Sequence, residues 1–229
     1  NILLQKGKLN SFNIQIEGTN SGGNLGSLGS ISFKNNNIFR GSEVLNIKIQ
    51  GGFQFQNVSK EIVSSGLFNN RRFGVEARIL FPRFLSPFRL RQFVIEYQPR
   101  TNLTVGCDLA IKALYSRYSA TASFGYNWMS NNQLQHILNP INLNSVKVNQ
   151  TPLFQQMLSE ETNQRIKDQY TSHLILGINY SLIFSNQNIK QNKDFFYIRA
   201  DIETSGNLLS LFNNTPIVKT NSDGSHDIF

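Results

Sequence analysis

Apolar and polar residues alternate with a period of two along most of this chain, the pattern of β-strands that carry one apolar face. The clearest stretch covers about 43–56. There Leu45, Ile47, Ile49, Gly51, Phe53 and Phe55 alternate with Asn46, Lys48, Gln50, Gly52, Gln54 and Gln56. Before it, Phe12, Ile14 and Ile16 alternate with Asn13, Gln15 and Glu17 over about 9–19. After a turn at Ser21-Gly22-Gly23-Asn24, a second strand runs over about 25–34 with Leu25, Ile31 and Phe33 on one side. Phe73, Val75, Ala77, Ile79 and Phe81 then share a face up to Pro82, and proline suits a strand end.

Residues 83–100 form an aromatic and arginine-rich connection with a short candidate strand at Phe93-Val94-Ile95. Alternation returns over about 101–112 (Leu103, Val105, Cys107, Leu109, Ile111) and about 116–128 (Tyr118, Ala120, Ala122, Phe124, Tyr126, Trp128). A weaker strand over 136–149 is interrupted by Pro140, and 150–169 reads as a polar loop holding a short helix. Two further strands follow. Leu174, Leu176, Ile178, Tyr180, Leu182 and Phe184 share a face over 172–185, and Phe196, Ile198, Ala200 and Ile202 over 194–205, before a loop-like tail from Asn213.

This predicts an all-β chain of about nine antiparallel strands. Several alternate for ten residues or more, whereas soluble sandwich strands average about five or six. A tilted strand needs about 9 to 11 residues to cross an outer membrane. The polar faces hold Glu17, Lys48, Glu76, Arg78, Asp108, Arg117, Asp201 and Glu203 in mid-strand, which fits a watery lumen. Aromatic residues Phe12, Phe33, Phe39, Phe81, Phe84, Tyr126, Trp128, Phe184 and Phe196 lie near strand ends, as interfacial girdles require.

Composition sharpens this. With 16% charged residues, 18 Phe and a mean hydropathy of -0.28, the chain lacks any run of the ~20 apolar residues that a spanning helix needs. The net charge of +8 is scattered, with Arg71-Arg72 the one adjacent basic pair, so no nucleic-acid surface is predicted. The single Cys107 excludes a disulfide framework within the chain. His136, His173 and His226 have no metal-ligand spacing, and Gly22 to Gly26 joins two strands without a Lys or a helix behind it, so it is no phosphate loop. No catalytic, cofactor or metal site is predicted, and the chain is read as not an enzyme.

Nine antiparallel strands leave a sheet unclosed, and an open edge in lipid would cost several kcal/mol for each unpaired backbone group. The chain is therefore read as the N-terminal part of a larger transmembrane β-barrel, residues 1–229 forming one partial barrel domain.

Particular stretches resemble one family. Glu17-Gly-Thr-Asn-Ser-Gly-Gly-Asn-Leu-Gly26 and Asn36-Asn-Ile-Phe-Arg-Gly-Ser-Glu43 resemble the first hairpin and following turn of BamA/TamA-type assembly barrels, the bacterial surface-antigen family. Leu45 to Phe55 matches the strand that follows, and Phe81-Pro82-Arg83-Phe84 the family's strand exit. Phe124 to Trp128, His136 to Ile141 and Ile202 to Leu209 resemble its Bacteroidota branch.

The resemblance implies a complete barrel of about sixteen strands, POTRA domains upstream and a Val-Arg-Gly-Phe motif downstream. It implies residence in the bacterial outer membrane, with lipids, client outer-membrane proteins and accessory assembly subunits as partners and with no cofactor. It also assigns the first strand, Phe12, Asn13, Ile14, Gln15, Ile16, Glu17 and Gly18, to a lateral seam where an incoming strand adds by β-augmentation. The lipid-facing set is Leu45, Ile47, Ile49, Phe53, Phe55, Val75, Ile79, Phe124, Leu176 and Ile178. A passive or TonB-linked channel and a soluble all-β binding module are the competing readings.

Overall fold

The computed structural model describes residues 7–21, 24–55, 70–85, 98–187, 194–205, 219–220 and 226–227. Alternation is realised as a single antiparallel meander of nine strands: β1 (Asn10–Ser21), β2 (Asn24–Asn35), β3 (Val44–Gln54), β4 (Asn70–Phe81), β5 (Arg100–Ile111), β6 (Tyr115–Asn131), β7 (Leu134–Gln150), β8 (His173–Ser185) and β9 (Tyr197–Ser205). Each strand pairs with its sequence neighbour, and β1 and β9 are the edges. Among the described residues the sheet does not close. Because direction alternates along the meander, β1 and β9 run parallel to each other.

Two expectations are corrected. Pro140 does not interrupt a strand; it sits inside the continuous 17-residue β7. Between Phe124 and Tyr126 of β6 the partners on β7 step from Ile141 to Leu138, so β7 carries one extra residue. The pairing with β8 shifts at the same place, between Asn139 and Asn142. A bulge absorbs a residue without a ladder N–H, and proline has none to give. The tail also departs from a plain loop, since β10 (Lys219–Thr220) and β11 (His226–Asp227) pair antiparallel. The loop at 150–169 folds into two helices, α1 (Pro152–Glu160) and α2 (Gln164–Gln169), with Thr151 and Asn163 as side-chain N-caps. The candidate strand at 93–95 lies outside the described residues.

Register makes the apolar halves of all nine strands one surface. A single row across the sheet reads Ile14, Ile31, Ile49, Val75, Cys107 and Ala120 through successive directly opposed pairs. The opposite surface is polar, with Lys48 facing Glu76 across β3 and β4.

Two observations show that the sheet curls with its polar surface inward. One cavity of about 450 Å³ is lined both by Thr19 of β1 and by Ser119 of β6. In a flat sheet those strands would stand five spacings apart, about 24 Å. Glycines report the same curvature. A Cβ at inner-face Gly26, Gly52 or Gly177 would meet a neighbouring carbonyl oxygen at 2.6, 2.9 and 2.8 Å, whereas at outer-face Gly29 and Gly51 the nearest atom is 3.9 Å away. The inner face is crowded and the outer face open.

The turn between β2 and β3 is held by its own side chains. Asn35 Oδ1 accepts from Asn37 N–H, Asn37 Oδ1 from Ser42 N–H, and the buried Glu43 carboxylate from Gly41 N–H, each at 2.9 Å. These bonds hold Arg40 and Ser42 at φ 67° and 64°, left-handed values uncommon for residues with a Cβ.

Candidate functional site

Apart from residues 83–85, which fold back onto its edge, the outer surface has nothing packed on it among the described residues. Among the described residues only two hydrophobic side chains are buried, Val146 and Phe154, and neither is on this surface: Val146 points to the polar side and Phe154 is in α1. By contrast, Phe12, Ile14, Ile31, Ile49, Phe73, Val105 and Ile202 are exposed on the outer surface. A chain of this length folding in water would bury such residues in a core. Every residue expected to face lipid lies on this surface. Ile49, Phe53, Phe55 and Val75 are exposed, and Leu45, Ile47, Ile79, Phe124, Leu176 and Ile178 are half-buried by their sheet neighbours.

Aromatic residues edge this surface at two rims. Rim one is where β2, β4, β6 and β8 end. It gathers all nine aromatics singled out from the sequence and adds Tyr180. Phe84 folds back from the β4 exit to meet Tyr126 and Trp128 edge-on at 5.3 and 6.0 Å. Thr101, fully buried, fastens that fold-back by donating to Arg83 C=O at 2.8 Å and accepting from Leu85 N–H at 2.9 Å, and Tyr126 OH donates to Leu85 C=O at 2.7 Å. Rim two, at the opposite strand ends, carries Phe53, Phe55, Phe73 and Tyr118. Along β4, Phe73 and Phe81 stand eight residues apart. That is about 26 Å of strand, or about 20 Å of height at a tilt of about 40°, close to the ~25 Å apolar band of outer-membrane barrels.

The inner surface is a polar groove. Arg72 grips Asp108 with two donors, Nε at 2.9 Å and Nη2 at 2.7 Å, and Arg78 reaches Glu76 at 3.3 Å. Near β9, Arg199 and the buried Ser181 hydroxyl both donate to Asp201. Asn46, Asn102 and Asn144 each place a buried side-chain oxygen in this groove without a hydrogen-bond donor. At rim two, α1 and α2 dock on the inner side through Phe154 and Tyr170, which pack on Tyr115 at 5.5 and 5.2 Å.

β1 is a bare edge. Its residues Phe12 to Gly18 pair with β2 on one side and with no strand on the other among the described residues. Which backbone groups stay open follows from the ladder. Asn36 N–H donates to Leu9 C=O at 2.9 Å, one step beyond the Asn10–Asn35 pair. Hydrogen-bonded pairs alternate in an antiparallel ladder. Ser11, Asn13, Gln15 and Glu17 therefore turn their N–H and C=O groups toward β2, and Phe12, Ile14, Ile16 and Gly18 turn theirs outward. The bond from Phe55 N–H to Leu25 C=O, on the far side of β2, requires the same phase. Ile14 and Ile16 are 69% and 81% exposed, and β1 holds no proline, lysine or bulge that would blunt an edge.

The residues expected to form a lateral seam and to face lipid thus fall on a sheet edge and on a continuous outer face. Nothing in the residue pattern signals the Thr101 latch, because its partners are backbone groups, or the inner-face glycine crowding, which exists only once strands are in register. Among the described residues no group of three His, Cys, Asp or Glu is placed to hold a metal, and no helix is long and apolar enough to cross a membrane. Compared with protein families, with curated proteins and with solved structures, the chain has no match.

Proposed function

We propose that this chain is part of a transmembrane barrel in the bacterial outer membrane, where it serves a protein assembly or translocation machine that passes client strands through a lateral seam at β1. The observation that carries the reading is the pairing of a bare apolar outer face with an unprotected twelve-residue edge. In water both would drive aggregation. In lipid the face is solvated, and the edge demands a partner strand, since each open N–H or C=O left in hydrocarbon costs several kcal/mol. Strand direction constrains that partner. Antiparallel pairing on β1 cannot come from β9, which runs parallel to it, so further strands or another protein must supply it. POTRA domains, the remaining strands to about sixteen and the motif resemblance complete this reading.

A photo-crosslinking side chain placed at Ile14 of the full-length protein in lipid vesicles should capture a purified, urea-unfolded outer-membrane barrel protein during its insertion. The same probe at Ile31, one strand inward, should not. Equal capture at both positions, or none at Ile14, would remove the seam. Ion conductance without any client capture would favour the channel reading, which draws on the polar groove instead.

A further inference from the structure

Charge is almost absent from the outer surface of β1 to β9. Apart from the His136 imidazole, the only ionisable side chains at outward strand positions, among the described residues, are Arg71 and Lys147 together with the Tyr118, Tyr126 and Tyr180 phenols and the Cys107 thiol. No carboxylate is present there. Both cations lie in the rim-two half. Arg71 opposes Phe53 and Ile111, and Lys147 opposes Tyr118, whose own neighbours lead through Leu109 to Phe73. All seven are exposed or half-buried on one continuous patch.

We infer that this patch binds the anionic headgroups of membrane lipids, with Arg71 and Lys147 taking phosphate groups while Phe73 and Tyr118 lie against the upper acyl chains. The inference rests on the membrane reading above and adds which leaflet chemistry rim two meets. Long cationic side chains at the edge of an apolar band extend to the headgroup level. Anionic lipid attracts such cations and would repel carboxylates, which fits a face whose outward strand positions, among the described residues, hold two of the first and none of the second. Spacing fixes the number of sites. Arg71 on β4 and Lys147 on β7 are three strand spacings apart, about 14 Å, too far to share one phosphate. Each therefore takes its own.

The test uses the full-length protein in nanodiscs, comparing phosphatidylcholine alone with phosphatidylcholine mixed with phosphatidylglycerol, and counts the lipids retained on gentle release by native mass spectrometry. Wild type should retain the anionic lipid several-fold over its share of the mixture. The double variant R71Q/K147Q should fall to parity while still inserting in the neutral nanodisc, and R117Q, which removes an inner-face cation, should keep the wild-type ratio. An unchanged ratio in R71Q/K147Q, or an equal loss in R117Q, would overturn the proposal. So would saturable binding of inorganic phosphate to the detergent-solubilised protein, since the site would then serve a free anion. Failure of the wild type to insert even in neutral lipid would instead overturn the membrane reading, a separable outcome.

Discussion

The indole of Trp128 lies flat on the imidazole of His136, ring centroids 4.9 Å apart and planes within 5°. The two residues face each other directly across β6 and β7 at rim one. Both imidazole nitrogens are engaged, Nε2 with Ser130 Oγ and Nδ1 with Tyr180 OH, each at 2.7 Å. An apolar ring surface fastened to hydrogen-bonding groups suits a membrane boundary, where one side is dry and the other wet.

Trp128 is the sole tryptophan, so its fluorescence reports this position alone. In bilayers carrying brominated lipids, bromines near the glycerol end of the acyl chain should quench it more strongly than bromines near the terminal methyl. Uniform quenching along the chain, or none, would contradict an interfacial rim. Changing His136 to Ala should broaden the depth profile, because the flat contact that holds the indole would be lost.

The crowding of the inner face makes a paired prediction on glycine. Gly177→Ala drives a methyl to 2.8 Å from the Thr204 carbonyl and should cost about 1 to 3 kcal/mol, as overpacking does. Gly51→Ala meets nothing closer than 3.9 Å and should be neutral or should stabilise by about 0.5 to 1 kcal/mol. Urea unfolding in detergent micelles measures both. Equal effects would mean that the sheet is not curled toward its polar side.

Alternation in β3 was sufficient to read its faces from the residues alone, because Leu45, Ile47 and Ile49 leave only one surface apolar. Pro140 misled for a physical reason: a proline usually ends pairing, and only the register of both neighbouring strands reveals that it occupies a bulge. Aromatic residues were visible near strand ends, but which end required knowing how the strands align. Phe12 at the start of one strand and Phe33 at the end of the next become neighbours, centroids 5.0 Å apart, only through the β1–β2 pairing. The edge status of β1 likewise follows from topology and not from any side chain.

The faces of β3 give a direct test of what surrounds the sheet. Arg at Ile49, near mid-band, should cost roughly 2 to 4 kcal/mol in bilayers, and Arg at the inward Gln50 much less. Single cysteines in a Cys107→Ala background separate lipid from a protein core, since Cys107 is itself exposed on the outer face. Labels at 47 and 49 should be quenched from the lipid and shielded from a water-soluble maleimide, and labels at 48 and 50 should behave in the opposite way. Lipid quenchers reaching neither face would end the transmembrane reading.

The ladder phase of β1 allows its two sides to be disabled separately. Ile14 turns its N–H outward, so Ile14→Pro removes a donor that β2 does not use and leaves the hairpin hydrogen bonds in place. Gln15 turns its N–H to Ser30, so Gln15→Pro deletes a ladder bond worth about 1 kcal/mol and adds a steric clash against β2. Stability in detergent should therefore fall clearly for Gln15→Pro and little for Ile14→Pro. Client insertion should show a different order, since an incoming strand needs the outward N–H of Ile14 and is obstructed by the proline ring there. Ile14→Pro is expected to stall insertion in a protein that remains folded, and Lys48→Pro, which disrupts β3 away from the edge, supplies the unfolding control. A folded Ile14→Pro protein that inserts clients at the wild-type rate would show that β1 is an ordinary barrel strand with no role in receiving them.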